Sequence, residues 1–236
     1  MPKKKKTDVS PKTIKWIWCL AFAPFALLFF MLLLTAFGLF GRMPSFEELE
    51  NPRSNLATEI YSEDGKVIGT FFVQNRSYVQ YADLFPDDST LHIRLGGHEV
   101  PPIVAALIAT EDARFRTHSG IDIPSLARVA VKTVLLQNTS QGGGSTITQQ
   151  LIKNLTKQDD ITVQRKLLEI FQALEFEKSY DKEEIMEWYL NIVYFGEGCN
   201  GVYTAAETYF GKEPKDLTLA ECASIIGITN NPSKYD

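Results

Sequence analysis

The sequence predicts a mainly α-helical body with a small N-terminal β hairpin, carried behind one transmembrane helix. Three observations predict it. Residues 16–40 carry no charge, apolar residues recur at helical spacing from Ile103 to Ile228, and Asp64-Gly65 separates two β-prone runs. With 44% hydrophobic and 22% charged residues among 236, the chain is not a disordered tract, a collagen-like repeat or a disulfide-dense mini-protein.

Residues 1–15 read as a cytoplasmic basic tail, with six lysines (Lys3, Lys4, Lys5, Lys6, Lys12 and Lys15) against a single Asp8. The rest of the chain is net acidic, which excludes a nucleic-acid partner as the main business of the protein but leaves room for a local cationic groove. Residues 16–40, WIWCLAFAPFALLFFMLLLTAFGLF, would span about 38 Å as a helix, enough to cross a bilayer with some tilt. Trp16 and Trp18 suit the membrane interface, and Pro24 is tolerated inside such a helix. The lysines before the run and the acids after it put the N-terminus in the cytoplasm and the remainder outside, as a single-pass protein of the cell membrane. A cleaved leader would have a shorter apolar core ending at an A-x-A-like site. Here the only such triplet, Ala21-Phe22-Ala23, lies within the run, so the run reads as an anchor.

Residues 41–56 form a polar linker, and 57–236 the outer domain, beginning with a hairpin region over 57–82. The stretch 74–100 reads as irregular. Helices are predicted from Ile103 to Glu111, over Pro124–Leu136, from a Ser145 or Thr146 cap through Lys153, over Arg165–Lys178, over Lys182–Tyr194 and over Leu217–Ile228. In Arg165–Lys178 the apolar stripe is Leu167, Leu168, Phe171 and Leu174, with Arg165, Glu169 and Gln172 on the other face. Cys199 and Cys222 lie outside the membrane, where an oxidising milieu could join them, though their spacing does not decide it. The cysteines and histidines show no metal-ligand spacing.

Three features carry chemistry. Glu111-Asp112 end an apolar helix, where desolvation suits a carboxylate to general acid–base work. The run Gly142–Gly144 with Ser145, Thr146 and Thr148 offers amide and hydroxyl donors to a phosphate, and Lys153 adds charge, without matching a P-loop. Glu169 stands one turn from Arg165 and Lys166. Taken singly, acids near a helix end are usually solvated, an acid among bases is usually a surface ion pair, and Gly-rich turns are usually only turns. Together, on one membrane-anchored outer domain, they suit a substrate with a lipid tail, a diphosphate and hydroxylated sugars.

The segments ATEDARFRTHSGID, GGGSTITQQLIKN, RKLLE and EIMEWYLNIVYFG, in that order, resemble the motifs of the family 51 peptidoglycan glycosyltransferases, the membrane-anchored domain of class A penicillin-binding proteins. The resemblance covers roughly residues 58–236. It implies a lysozyme-like, two-lobed α fold and the polymerisation of lipid II into β-1,4-linked glycan strands, with inversion at the donor C1 and release of undecaprenyl diphosphate. By the same resemblance Glu111 is the base, and Glu169 is the second essential carboxylate. Lys153, Arg165 and Lys166 serve the diphosphate. Asp112, Phe115, His118, Ser145, Thr146, Gln149, Gln150, Asn154 and Asn191 belong to the donor-site lining or its scaffold.

The resemblance leaves open a divalent cation, Mg or Mn, assisting the diphosphate. Its implied partners are lipid II, the growing lipid-linked strand, the membrane and other cell-wall synthesis proteins. Arg116 stands where the family commonly has an aromatic residue, and Lys132 where an Asn is often found four residues after the motif Arg, here Arg128. No S-x-x-K, S-D-N and K-T-G set follows, so the chain reads as a class A protein truncated before its transpeptidase domain. Two other readings stand beside this one: a lysozyme-like glycan-cleaving enzyme, which has little need of the Arg165–Glu169 face, and a non-catalytic anchored scaffold, which would require neither carboxylate.

Overall fold

A computed structural model describes residues 10–36, 58–63, 67–71, 77–136, 143–156 and 163–234. The chain divides into two units, Met1–Met43 and Pro44–Asp236. In the first, helix α1 runs over Pro11–Ala36. Its described side chains stand exposed on every side, Trp16, Leu20 and Phe25 among them, and the Trp18 and Phe22 rings stack at 5.5 Å. Among the described residues no helix is long and apolar enough to cross a membrane. The uncharged run continues to Phe40, and residues 37–40 lie outside the described residues.

The second unit opens with the predicted hairpin. Strands β1 (Thr58–Tyr61) and β2 (Val67–Phe71) pair antiparallel, Thr58 opposite Phe71 and Ile60 opposite Gly69. The Asp64-Gly65 turn and the 41–56 linker fall outside the described residues. The stretch expected to be irregular is more ordered than its sequence suggests. It holds single 3-10 turns at Tyr81–Leu84 and Ser89–Leu91 and a second hairpin, β3 (Ile93–Leu95) with β4 (His98–Val100). Three-residue strands are too short to show an alternating pattern. Their turn is legible, because Gly96 and Gly97 both take positive φ, as a two-residue hairpin loop requires.

Helix α2 (Pro102–Glu111) forms the centre of the core. Pro102, Ile103, Val104, Ala105, Leu107 and Ile108 are all buried, so the helix is apolar all round, as a helix enclosed by neighbours must be. It packs against α8 (Leu219–Ile228), whose Ile225 and Ile226 are fully buried. Around it come α3 (Ile123–Leu136), α4 (Ile147–Thr156), α5 (Val163–Ser179), α6 (Lys182–Ile192) and α7 (Val202–Phe210). Helices α5 and α6 both pack on α4. The predicted helices are present with shifts of one to three residues at most ends; α7 was not foreseen. It is only nine residues long and is bounded by Gly201 and Gly211, which masks its pattern. Gly201 is required there, since a Cβ would lie 2.8 Å from the carbonyl oxygen of Asn191.

Capping chemistry sets several boundaries. Asp181 and Glu184 form a reciprocal box at the start of α6, and Thr218 and Glu221 one at the start of α8. The cap of α4 is Thr146 rather than Ser145: its Oγ1 accepts from Gln149 N at 3.2 Å, while Gln149 Oε1 accepts from Thr146 N at 3.0 Å.

Helix α5 departs from the expected orientation. Its buried line is Leu168, Glu169, Gln172, Ala173 and Phe176, while Leu167, Phe171 and Leu174 are only half-buried. Glu169 and Gln172, placed opposite the apolar stripe, are buried, and Arg165 is half-buried. Cys199 and Cys222 are both buried and free.

Candidate active site

Helix α2 ends where its last turn meets two carboxylates. The amide of Asp112 makes the final helical bond, to Ile108 O at 3.1 Å, and Asp112 then leaves helical geometry. A carboxylate at the C-terminal, negative end of a helix needs donors from elsewhere. Asp112 Oδ2 finds two: His118 Nε2 at 2.8 Å and Ile147 N, in the first turn of α4, at 3.1 Å. The positive start of one helix therefore faces the negative end of another across a single oxygen. His118 Nδ1 is buried with no hydrogen-bond partner among the described residues. Phe115 lies fully buried beneath, edge-on to His118 and capped by the Lys182 ammonium 4.2 Å from its ring centre.

Glu111 remains half-buried on the open side. Its Oε2 accepts from Gln150 Nε2 at 2.9 Å, and Gln150 Oε1 in turn accepts from the Tyr189 hydroxyl at 3.0 Å. Glu111 and Asp112 line a pocket of about 240 Å³ with Arg114, Asp122, Ser125, Arg128, Ser145 and Thr146. Gly143 and Gly144 contribute backbone to its wall; Gly142, the first of the predicted glycine run, lies outside the described residues.

The loop from Asp112 to Asp122 is pinned twice. Thr146 Oγ1 donates to Gly120 O at 2.7 Å. Gly120 itself has φ +88°, and a Cβ there would sit 2.5 Å from the carbonyl oxygen of Ala173 on α5, so only glycine fits. At the far end Arg114 makes a forked pair with Asp122, Nε to Oδ1 at 3.1 Å and Nη2 to Oδ2 at 2.7 Å, and also donates to Ser125 Oγ at 2.9 Å.

The second acid is on α5. Glu169 is 5% exposed, so it is no surface ion pair. Its Oε1 accepts from Lys166 Nζ at 2.5 Å, and Arg165 Nη2 stands 3.9 Å from Oε2. Lys166 also donates to Ser145 Oγ at 2.9 Å, linking α5 to the wall of the Glu111 pocket. Glu169, Arg165, Lys153 and Gln172 border a narrow cleft between α4 and α5, with Lys153 and Asn154 exposed on α4.

Apart from His118 and Gln150, which hold the two carboxylates, and the exposed Asn154, the predicted residues fall into three groups. Glu111, Asp112, Ser145 and Thr146 share one pocket. Lys153, Arg165 and Glu169 share the neighbouring cleft, with Lys166 between the two. Phe115, Gln149 and Asn191 are buried in the scaffold. Asn191 spends its amide on backbone, with Oδ1 accepting from Val79 N at 2.9 Å and Nδ2 donating to Val79 O and Glu187 O at 2.8 Å each.

Sequence reasoning missed Arg114, Asp122 and Ser125 as pocket residues and named Arg128 only as a landmark. The sequence Asp122-Ile-Pro-Ser125 was the available signal, since an Asp just before a Pro-bearing helix start is a cap. Arg116, one of the two departures from the family pattern, pairs with Glu183 at 2.9 Å, away from the pocket lining. The side chain of Lys132 lies outside the described residues.

A profile of the family described as Transglycosylase matches residues 64–236. Penicillin-binding protein 1A of Pseudomonas aeruginosa is 38% identical over 194 residues, covering 82% of this chain and 22% of that protein. The protein of the same name from Neisseria gonorrhoeae is 36% identical over 197 residues, 84% of this chain and 23% of its own. That of Aquifex aeolicus is 36% identical over 209 residues, 89% and 27%. The chain therefore spans about a quarter of the length of these relatives.

The Arg114–Asp122 fork has a pH signature. Burial pushes the Asp122 carboxyl up, but hydrogen bonds from Arg114 and Ser125 outweigh it and hold the group at about 2, below the ordinary 3.8. A depressed carboxylate stabilises the fold above its unfolded value and loses that contribution as pH falls through the folded one. The thermal midpoint of the wild type should therefore drop more steeply between pH 4 and pH 2 than that of Asp122→Asn, the two curves converging at the acid end. Parallel curves would show that the fork contributes no acid-side stability.

Proposed function

The chain belongs to the transglycosylase family, and we propose that it is a peptidoglycan glycosyltransferase that polymerises lipid II into β-1,4-linked glycan strands. The observation that carries this reading is Glu111. It is a carboxylate at the end of a buried helix, opening into a pocket lined by hydroxyls and charged side chains and held by a neutral amide rather than spent on the neighbouring arginines.

In the proposed reaction Glu111 takes the proton of the 4-hydroxyl on the acceptor N-acetylglucosamine. The freed oxygen bonds to C1 of the donor N-acetylmuramic acid from the face opposite the diphosphate. The bond from C1 to the phosphate oxygen breaks, its electron pair leaves with undecaprenyl diphosphate, and the α linkage becomes β. Charge developing on the leaving group is met by Lys166, Arg165 and Lys153, which lie beside the pocket wall rather than within the Glu111 lining. Glu169 orients Lys166 and Arg165 by its ion pairs. Ser145, Thr146, Gln149, Gln150, Asn154, Asp112, Phe115, His118 and Asn191 complete or support this donor side.

Among the described residues the side chains alone form no cage for a divalent cation, so one assisting the diphosphate would be held largely by the substrate. No group of three His, Cys, Asp or Glu side chains among the described residues could hold a metal, and Glu169 is already neutralised by Lys166.

We further propose that residues 16–40 anchor the chain in the cell membrane, with the basic tail cytoplasmic and the body outside, beside its lipid-tailed substrate. The uncharged run and the exposed apolar side chains of α1 support this. Other cell-wall synthesis proteins are proposed partners on the strength of the motif resemblance alone.

Incubating detergent-solubilised protein with labelled lipid II tests the reaction. Wild type should yield glycan polymer, and Glu111→Gln should keep the fold and lose about 10²–10⁴ in rate, the usual contribution of a general base. Polymer from Glu111→Gln at near the wild-type rate would refute the assignment. Removing residues 1–41 should leave the body folded and slow polymerisation of vesicle-embedded lipid II; equal rates with and without the segment would count against the anchor.

A further inference from the structure

Glu111 is reached from the core side by a chain of two side chains that its proton-accepting role does not by itself require. The Tyr189 hydroxyl donates to Gln150 Oε1 at 3.0 Å, and Gln150 Nε2 donates to Glu111 Oε2 at 2.9 Å. Tyr189 is 1% exposed, in the middle of α6, and Gln150 is half-buried on α4. A glutamine amide has two nearly isosteric orientations, one presenting a donor and the other an acceptor. Which of them faces Glu111 matters. A donor favours the carboxylate, whereas an acceptor would favour the protonated acid. The buried phenol decides the choice by offering its hydroxyl hydrogen to one end of the amide, which leaves the NH₂ for the other.

Resting on the reading of Glu111 as proton acceptor, we propose that Tyr189 and Gln150 are positioning residues that lock the amide with its donor toward Glu111. They thereby keep Glu111 aimed and ready to take a proton. Gln150 is then a strut of the base rather than a donor-site contact. Burial, aided by the charge of Glu111, pushes the Tyr189 hydroxyl pKa up, so the phenol stays a donor across the working range.

The other charges around Glu111 are accounted for. In the pocket they are Asp112, held by His118 and Ile147 N, Arg114 paired with Asp122, and Arg128, which donates to Ser125 Oγ; at its wall Lys166 is paired with Glu169. On the packed elements, Lys153 is the only charge on α4 and Glu221, paired with Lys212, the only one on α8; Arg94 of β3 is paired with Glu99. On α6, Glu187 bonds Tyr78 and Tyr81 N, Lys182 bonds Glu177, Glu183 pairs with Arg116, and Glu184 closes its cap. None of these can set the orientation of the Gln150 amide in place of Tyr189.

The test uses the full chain in detergent, labelled with ¹⁵N-glutamine, with Gln150→Met identifying the Gln150 side-chain signal. In Tyr189→Phe the NH₂ hydrogens of Gln150 should exchange with solvent about tenfold faster, as expected for one lost hydrogen bond. Polymerisation should lose about tenfold in kcat with KM unchanged, and the acid side of the pH–rate profile should move up by about one pH unit. Gln150→Met, which removes both bonds, should cost at least as much in kcat. Unchanged amide exchange overturns the lock even if the wild type polymerises normally. Faster exchange with an unmoved pH profile, or a rise in KM alone, overturns the positioning role. Faster exchange in a chain whose wild type makes no polymer leaves the lock standing and refutes the glycosyltransferase reading instead.

Discussion

One carboxylate oxygen organises this molecule. Asp112 Oδ2 accepts from both His118 and the first turn of α4, and so ties together the end of the central helix, the loop that follows and the start of the helix opposite. The arrangement is favourable because the two helix ends carry opposite partial charges. It is also what allows Glu111, one residue earlier, to stand at the edge of the core. The apolar body of α2 fixes the backbone, Asp112 takes the Ile147 amide of α4, and Glu111 is left to face the pocket. The Thr146–Gly120–Ala173 contact serves the same end from the other side, holding the loop against α5 at a distance no side chain could share.

The second carboxylate is placed by a different principle. Helix α5 turns Glu169 and Gln172 inward, where an ionised acid would be costly without partners. Lys166 supplies one and reaches on to Ser145, so that the cationic side of the site and the hydroxyl-lined pocket share a single ammonium. A half-buried pair of this kind adds little net stability. Its value is geometric, since it keeps positive charge beside the pocket without letting it collapse onto Glu111.

Much of the fold was legible, and the failures have physical causes. Long amphipathic segments with capping residues, such as Pro124–Leu136 and Lys182–Tyr194, lie where periodicity puts them. The 93–100 hairpin and Val202–Phe210 were too short for a period to register, although Gly96-Gly97 marked the first. The buried line of α5 does not follow its apolar stripe, because Glu169 finds its cationic partners, Lys166 and Arg165, on the same helix and can be buried with them at hand. Arg114 and Asp122 were missed because they become pocket residues only once the loop closes on itself. Of the residues named from the motifs, Glu111, Asp112, Ser145 and Thr146 line one pocket, whereas Phe115, Gln149 and Asn191 are buried away from it.

A structure of the protein with a lipid-linked acceptor bound would test the central claim most directly, through the position of the attacking 4-hydroxyl. The expected result is that oxygen within hydrogen-bond reach of the Glu111 carboxylate, about 2.6–3.2 Å, with the diphosphate of the donor toward Lys166 and Arg165. A hydroxyl seated on Glu169 or Asp122, with Glu111 turned away from it, would contradict the account.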